Sequence, residues 1–207
     1  MGLTYSDMQR TKNTSGWTIT GGMHVTCLFP TLGGVSGQQQ PPVPLYMFEG
    51  DNNANTKWCS RPTPADGVNP NISTYWECWI KMVDPVFDNI FFIIANQQNL
   101  DVTSATIRGY SFYFNPSGGV VGLYRIDGAG VLVDIGSIAL AQDTNLHRCG
   151  LSREVSGANR FFRLYLDNMT TSIVGPINSL TYTNFSWWGW NMFARPRIVF
   201  GAEACRS

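Results

Sequence analysis

Five aromatic residues, Tyr182, Phe185, Trp187, Trp188 and Trp190, fall within nine positions of one another in a stretch otherwise rich in Thr, Asn, Ser and Gly. Rings of this kind stack on sugar faces or anchor protein interfaces. If the segment is extended, the consecutive Trp187 and Trp188 point to opposite faces, so at least one ring is expected away from the core. Asn184, Ser186 and Asn191 stand beside them as hydrogen-bonding groups for a glycan. Core packing or a subunit interface is the competing reading of the same rings. A second candidate is the stretch holding Trp58, Arg61 and Asp66, for which surface packing is the alternative.

The residues that could break bonds are few. A retaining glycosidase needs two carboxyls about 5–5.5 Å apart, which a strand supplies from alternate residues. Among 14 acidic residues, Glu49 and Asp51 are the only pair so spaced, and Gly50-Asp51-Asn52-Asn53 reads as a turn. Asp84 and Asp88 bracket Pro85 and read as a solvated strand end. Of the two histidines, His24 and His147, the second falls where a strand is expected and reads as structural. No G-x-S-x-G nucleophile elbow is present. No catalytic residues are assigned. Two histidines and scattered cysteines give no zinc spacing. Calcium, which takes several hard oxygen ligands on a loop, has one weak candidate site in Glu49, Asp51 and Asn53, with an ordinary Asx-rich turn as the alternative. No other cofactor is expected.

The elements that would position these groups are strands. Apolar residues alternate with polar ones at period 2, and helical period hardly occurs. Over Thr74–Val83, Trp76, Cys78, Ile80 and Met82 take one side and Tyr75, Glu77, Trp79 and Lys81 the other. Phe162, Leu164 and Leu166 alternate in the same way with Arg163, Tyr165 and Asp167. Further strands are predicted at Met23–Phe29, Val43–Phe48, Asn89–Ala95, Tyr110–Phe114, Val120–Ile126, Val131–Ile135, His147–Arg153, Ile173–Val174 and Arg197–Gly201. Turn chemistry separates them at Asn115–Gly119, Asp127–Gly130, Ser156–Asn159 and Asp167–Asn168. The single helical candidate is Ser137–Gln142. The expected fold is all-β, a two-sheet antiparallel β-sandwich. Residues 1–42 are read as an N-terminal arm, first strands and linker loop, and residues 43–207 as the sandwich domain; Met1–Ser15 is polar, and Trp17–Phe29 could supply the first strands.

Composition narrows the partners. The 207 residues carry 14 Lys+Arg against 14 Asp+Glu, a net charge of zero, with only 14% charged residues. A neutral chain lacks the basic face that supplies most nucleic-acid affinity, and it has no attraction to an anionic membrane. No apolar run approaches the 18 residues of a spanning helix. The opening Met1–Asp7 shows no secretory pattern, so synthesis in a host cytoplasm is expected. Cys27, Cys59, Cys78, Cys149 and Cys205 then read as mostly buried thiols, with a Cys59–Cys78 bridge as the alternative.

Several stretches, in this order, resemble the laminin-G-like, concanavalin A-like sandwich superfamily. Leu45–Asn52 looks like the opening "F-(D/E)-G-D" strand and turn of such domains, and Thr74–Lys81 like their "T-(I/L)-x-x-W-(I/V)-K" strand. Asn145–Asn168 looks like "W-H-x-x-(A/G)-(V/L)-(S/T)-R … L-Y-(V/L)-D-G", with Leu146 where Trp is common and Asn168 where Gly is common; Asn also tolerates the left-handed conformation, so the turn is expected to survive with Asn168 in it. Arg197–Ala202 resembles the closing strand. The resemblance implies a concanavalin A-like jelly roll over roughly residues 43–202, a fold that hosts many functions. With low charge and a candidate aromatic surface, the expectation is a non-enzymatic structural or attachment protein of a virus particle. A bacteriophage capsid decoration, head fibre or tail adhesin would fit, joined to itself or to other virion proteins and able to contact host glycans. The alternative is a lectin-like carbohydrate-binding module, with a glycosidase or polysaccharide lyase behind it.

Overall fold

The structure, a computed structural model, describes residues 4–5, 18–20, 23–28, 45–50, 57–63, 68–82, 89–115, 118–140, 145–193, 197–200 and 204–206. These form sixteen strands: β1 (Thr4–Tyr5), β2 (Thr18–Thr20), β3 (Met23–Leu28), β4 (Leu45–Gly50), β5 (Lys57–Pro62), β6 (Thr74–Met82), β7 (Asn89–Ala95), β8 (Gly109–Asn115), β9 (Val120–Ile126), β10 (Leu132–Ala139), β11 (Leu146–Ser156), β12 (Asn159–Leu166), β13 (Val174–Asn178), β14 (Trp187–Phe193), β15 (Arg197–Phe200) and β16 (Ala204–Arg206). They build a nine-stranded sheet, ordered β13-β12-β11-β6-β15-β4-β3 with β16 paired to β6 and β1 to β16, and a seven-stranded sheet, ordered β10-β9-β8-β7-β14-β5-β2. The paired strands run antiparallel. The predicted two-sheet sandwich is therefore what the chain forms.

The core lies between the sheets. Trp76, Leu151, Phe162 and Leu164 of the nine-stranded sheet meet Cys59, Phe92, Tyr110, Phe112, Leu123, Trp188 and Trp190 of the other. Removing one such large apolar side chain from water contributes about 1.5–3 kcal/mol, so this layer supplies most of the folding drive. Cys59 and Cys149 are buried thiols within it. The sequence pattern holds on β6 and β12, where Trp76, Phe162 and Leu164 are buried while Tyr75, Glu77, Phe161, Arg163 and Tyr165 are half-buried.

A second apolar layer covers the outer face of the seven-stranded sheet. Phe91, Ile93, Ala95 and Ile126 on that face pack with Leu100, Val102 and Ile107 from the β7–β8 connection. That connection, residues 96–108, is a roof tied at both sides of the sheet. Gln98 donates from Nε2 to Thr18 Oγ1 on β2 (2.5 Å), and the β9–β10 turn donates from Ala129 N to Ser104 O (2.8 Å) and from Gly130 N to Val102 O (2.9 Å).

Two local expectations are corrected. The segment proposed as helical, Ser137–Gln142, continues β10 as far as Ala139, with Ser137, Ile138 and Ala139 paired to Gly122, Val121 and Val120. The β9 ladder satisfies its backbone groups, and this tertiary pairing overrides local propensity; positions 141 and 142 lie outside the described residues. At the hairpin after β12, the left-handed residue is Asp167 (φ 61°), not Asn168. Asn168 instead accepts from Thr170 N through its Oδ1 (2.9 Å), an Asx turn. Of the ambiguous N-terminal segment, β2 and β3 join opposite sheets, and Thr4–Tyr5 pairs with β16; the rest of Met1–Ser15 lies outside the described residues.

Candidate functional site

The outer face of the seven-stranded sheet can be read row by row, because cross-strand partners point to the same side. One row runs Thr20, Trp58, Asn191, Phe91, Tyr113, Gly122, Ser137 from β2 to β10. The next runs Thr18, Ser60, Gly189, Ile93, Ser111, Tyr124, Asp134. Phe91 and Ile93 belong to the outer apolar layer, which fixes the direction of both rows.

Three polar side chains on these rows are unusual. Ser60, Ser111 and Asn191 are each 0% exposed. The two hydroxyl oxygens and both the Nδ2 and Oδ1 of Asn191 have no hydrogen-bond partner among the described residues. Burying such a group without a partner costs about 1–3 kcal/mol, so the fold bears a penalty that packing alone does not require. Thr63 Oγ1 and Trp76 Nε1 are orphaned too, but apart from this cluster. Around the three stand aromatic rings: Phe91 and Tyr113 stack at 4.2 Å with planes 3° apart, Tyr124 meets Tyr113 edge-on at 5.1 Å, and Trp58 and Trp187 pack on the outer layer, half-buried.

The acid-base character of this face is muted. Burial, then the neighbouring Tyr124, pushes the Tyr113 phenol up, and burial, then the Asp134 carboxylate, does the same to Tyr124. Both phenols stay protonated through the neutral range and present O–H groups rather than charge. Asp134, at the β10 edge, is occupied by Gly136 N (2.8 Å), Ser137 Oγ (2.6 Å) and Tyr124 Oη (3.3 Å).

The aromatic cluster singled out in the sequence is placed differently from its glycan reading. Phe185, Trp188 and Trp190 are buried in the inter-sheet core, and Trp188 donates from Nε1 to Pro62 O (3.3 Å). Trp187 does point to the other face, and it packs there beneath the outer layer. Tyr182 rests on the core and donates its hydroxyl to Asp127 Oδ1 (2.9 Å). Arg125 also grips Asp127 and holds its carboxyl below the usual range, while burial and then Asp127 push Tyr182 up. Four of the five rings therefore serve the core or its margin, and Trp187 alone reaches the outer face. Asn184 and Ser186 bond each other (2.6 Å) beside a cavity of about 260 Å³ that they line with Val68, Pro70 and Thr183.

His147 takes the structural role expected. It is buried, with Nδ1 2.9 Å from Asp167 Oδ2 and its ring 5.5 Å from Phe114. Asp167 also accepts from Arg148 N (3.0 Å), so the pair clamps the turn after β12 onto β11. The calcium candidates are not placed: Asp51 and Asn53, and the side chain of Glu49 on β4, lie outside the described residues, as does Asp66. Among the described residues no cluster of three or more His, Cys, Asp or Glu stands ready for a metal.

What sequence reasoning missed was β5 and β14, which carry Trp58, Ser60 and Asn191. A strand covered on both faces loses the period-2 signature. Trp187-Trp188-Gly189-Trp190-Asn191 is such a strand, and the run of bulky residues was the available signal.

No family model matches the chain, and no curated protein matches its sequence. Solved structures do match it. A conserved carbohydrate esterase of Shiga toxin-encoding bacteriophage phi24B superposes with a TM-score of 0.64 at 9% identity, over 99% of this chain and 98% of that one. The exoplasmic/lumenal domain of VIP36, bound to calcium and Man3GlcNAc, gives 0.57 at 7% identity over 94% and 86%. The carbohydrate-binding module CBM66 from Bacillus subtilis gives 0.51 at 16% identity over 93% and 96%. At these identities the likeness is one of fold, the concanavalin A-like two-sheet sandwich.

Proposed function

We propose that the chain is a non-catalytic carbohydrate-binding sandwich serving a bacteriophage particle, as capsid decoration, head fibre or tail adhesin. It reaches host glycans through the outer face of its seven-stranded sheet and assembles with itself or other virion proteins. The observation that carries the glycan reading is the set of half-buried rings Trp58, Tyr113 and Trp187 on that face, set beside the buried, unpartnered Ser60, Ser111 and Asn191. Sugars present hydroxyls at their edges and C–H groups on their faces, and hydrogen-bonding groups set among aromatic rings match both. The fold shared with a phage carbohydrate esterase, a glycan-bound VIP36 domain and a bacterial carbohydrate-binding module supports the class of ligand. The phage relative, together with a neutral chain that has little long-range repulsion between copies, supports a place in an assembled particle.

The test is retention of the purified full chain on an oligosaccharide array, repeated with Trp58→Ala and Asn191→Ala. Retention by the parent chain and its loss in both variants is expected; parent and variants that all ignore every glycan would contradict the reading. Turnover of acetylated or polymeric glycans by the parent chain would overturn its non-catalytic part. Co-sedimentation with phage particles addresses the particle role, and its absence would remove that part of the proposal.

A further inference from the structure

We infer that the cavity between the β5–β6 and β13–β14 connections takes the acetamido group of an N-acetylated sugar, so that the glycan bound by the chain carries an N-acetylhexosamine. The inference rests on the glycan-binding reading above and adds the sugar class and the place where it is recognised.

The two walls of the cavity differ in chemistry. Val68 and Pro70 supply an aliphatic wall from the first connection, and Thr183, Asn184 and Ser186 a hydroxyl and amide wall from the second. All five are half-buried or exposed, so a ligand reaches them from solvent. The volume of about 260 Å³ lies below the roughly 300–1,000 Å³ of sites that enclose larger ligands, so one sugar residue fits and a run of them does not. Ser186 directly precedes Trp187, a half-buried ring of the outer face, which sets the cavity at the end of that face. Both walls are held by the chain itself. Arg160 donates from Nε to Pro70 O (2.6 Å) and from Nη2 to Asn71 Oδ1 (2.8 Å), and the buried Arg153 donates from Nη2 to Asn69 O (2.7 Å) and Ile72 O (3.0 Å). Opposite them, Phe185 is fully buried in the core between two lining residues, and Ser186 O accepts from Thr63 N (2.9 Å). Walls fixed in advance spare a ligand the cost of ordering them.

The polar wall has a defined order of donors and acceptors. Ser186 Oγ donates to Asn184 Oδ1 (2.6 Å). That bond uses the serine proton and the amide oxygen, leaving Asn184 Nδ2 as a donor and Ser186 Oγ as an acceptor. An acetamido group presents the complement: a carbonyl for Asn184 Nδ2, an N–H for Ser186 Oγ, and a methyl for Val68 and Pro70. A sugar hydroxyl in the same place serves the polar wall and leaves the aliphatic wall without a partner.

The experiment is an array of oligosaccharides in matched pairs, one member ending in N-acetylglucosamine or N-acetylgalactosamine and the other in glucose or galactose, probed with the full chain. Expected is about tenfold stronger retention of the N-acetylated member, the worth of one net hydrogen bond and one buried methyl. Asn184→Asp, at an exposed position, keeps the oxygen that accepts from Ser186 and removes the Nδ2 donor; the preference should fall to about threefold or less with Tm unchanged. Val68→Ser, on the opposite wall, should weaken the same preference severalfold. Equal retention of the two members, or a preference that survives both substitutions, would overturn this inference while leaving glycan binding standing. Failure of the chain to bind any sugar would overturn both this and the reading on which it rests.

Discussion

The two outward faces of the sandwich solve the exposure of polar groups in opposite ways. On the nine-stranded sheet, charge is paired with charge: Arg148 Nε bonds Glu77 Oε1 at 2.6 Å, and Arg163 Nε bonds Glu154 Oε1 at 2.8 Å. Tyr75 adds an edge-on contact with Tyr165 at 5.9 Å and a bond to Met169 Sδ at 2.9 Å. On the seven-stranded sheet the polar groups are hydroxyls and an amide, buried and orphaned among rings. The first face is finished by its own side chains. The second is left with unmet hydrogen-bonding capacity beneath its rings and the apolar layer that covers it.

Backbone closeness breaks the symmetry most sharply. A Cβ on Gly189 would lie 2.1 Å from Cys59 O, at φ 155°, where β14 and β5 approach beneath the neutral face. A Cβ on Gly150 would lie 2.4 Å from the hydroxyl of Tyr75, the far end of a side chain that can shift at the expense of its bond to Met169. Gly189→Ala is expected to cost about 3 kcal/mol or more, lowering Tm by about 6–12 °C, against about 1 kcal/mol for Gly150→Ala. Thermal unfolding of both variants checks the pair, and equal losses would mean the neutral face is no more rigid than the charged one.

Alkaline titration sharpens the contrast further. The raised phenols of Tyr113 and Tyr124 hold their protons more tightly folded than unfolded. Their contribution to stability is therefore fully present below the ordinary value of 10.0 and is lost as pH rises from there through the folded values. Tyr113→Phe with Tyr124→Phe should flatten the fall in stability above that pH. An unchanged alkaline profile would show that the neutral face does not titrate as described.

The smallest effect belongs to the charged face. Glu154→Gln removes a pair whose side chains are 42% and 29% exposed, and it should change stability by no more than about 0.5 kcal/mol and leave glycan retention untouched. A measurable loss of retention would move the site to the other sheet.

The same division explains what the sequence made legible. The stretches that resemble laminin-G-like domains became β4, β6, β11, β12 and β15, five strands that lie side by side in the nine-stranded sheet. That sheet has one buried and one watered face, so Trp76, Phe162 and Leu164 alternate visibly with Glu77, Arg163 and Tyr165. The centre of the other sheet is covered twice, by the core and by the roof of residues 96–108, and alternation disappears where Trp188 and Trp190 pack inward while Trp187 packs outward. The aromatic cluster was thus visible as composition but not as geometry. The sequence marks Trp58, and it marks Asn191 as a neighbour of the cluster; nothing in their spacing places them side by side on adjacent strands with Ser60 and Ser111 on the next row.

Asn191→Ala tests the central claim most directly, through Tm and glycan retention measured on one preparation. Because the amide is buried without partners, its removal should leave Tm unchanged or slightly higher while retention falls at least tenfold. A lower Tm with retention intact would contradict the account, showing that Asn191 serves the fold and that the ligand is held elsewhere.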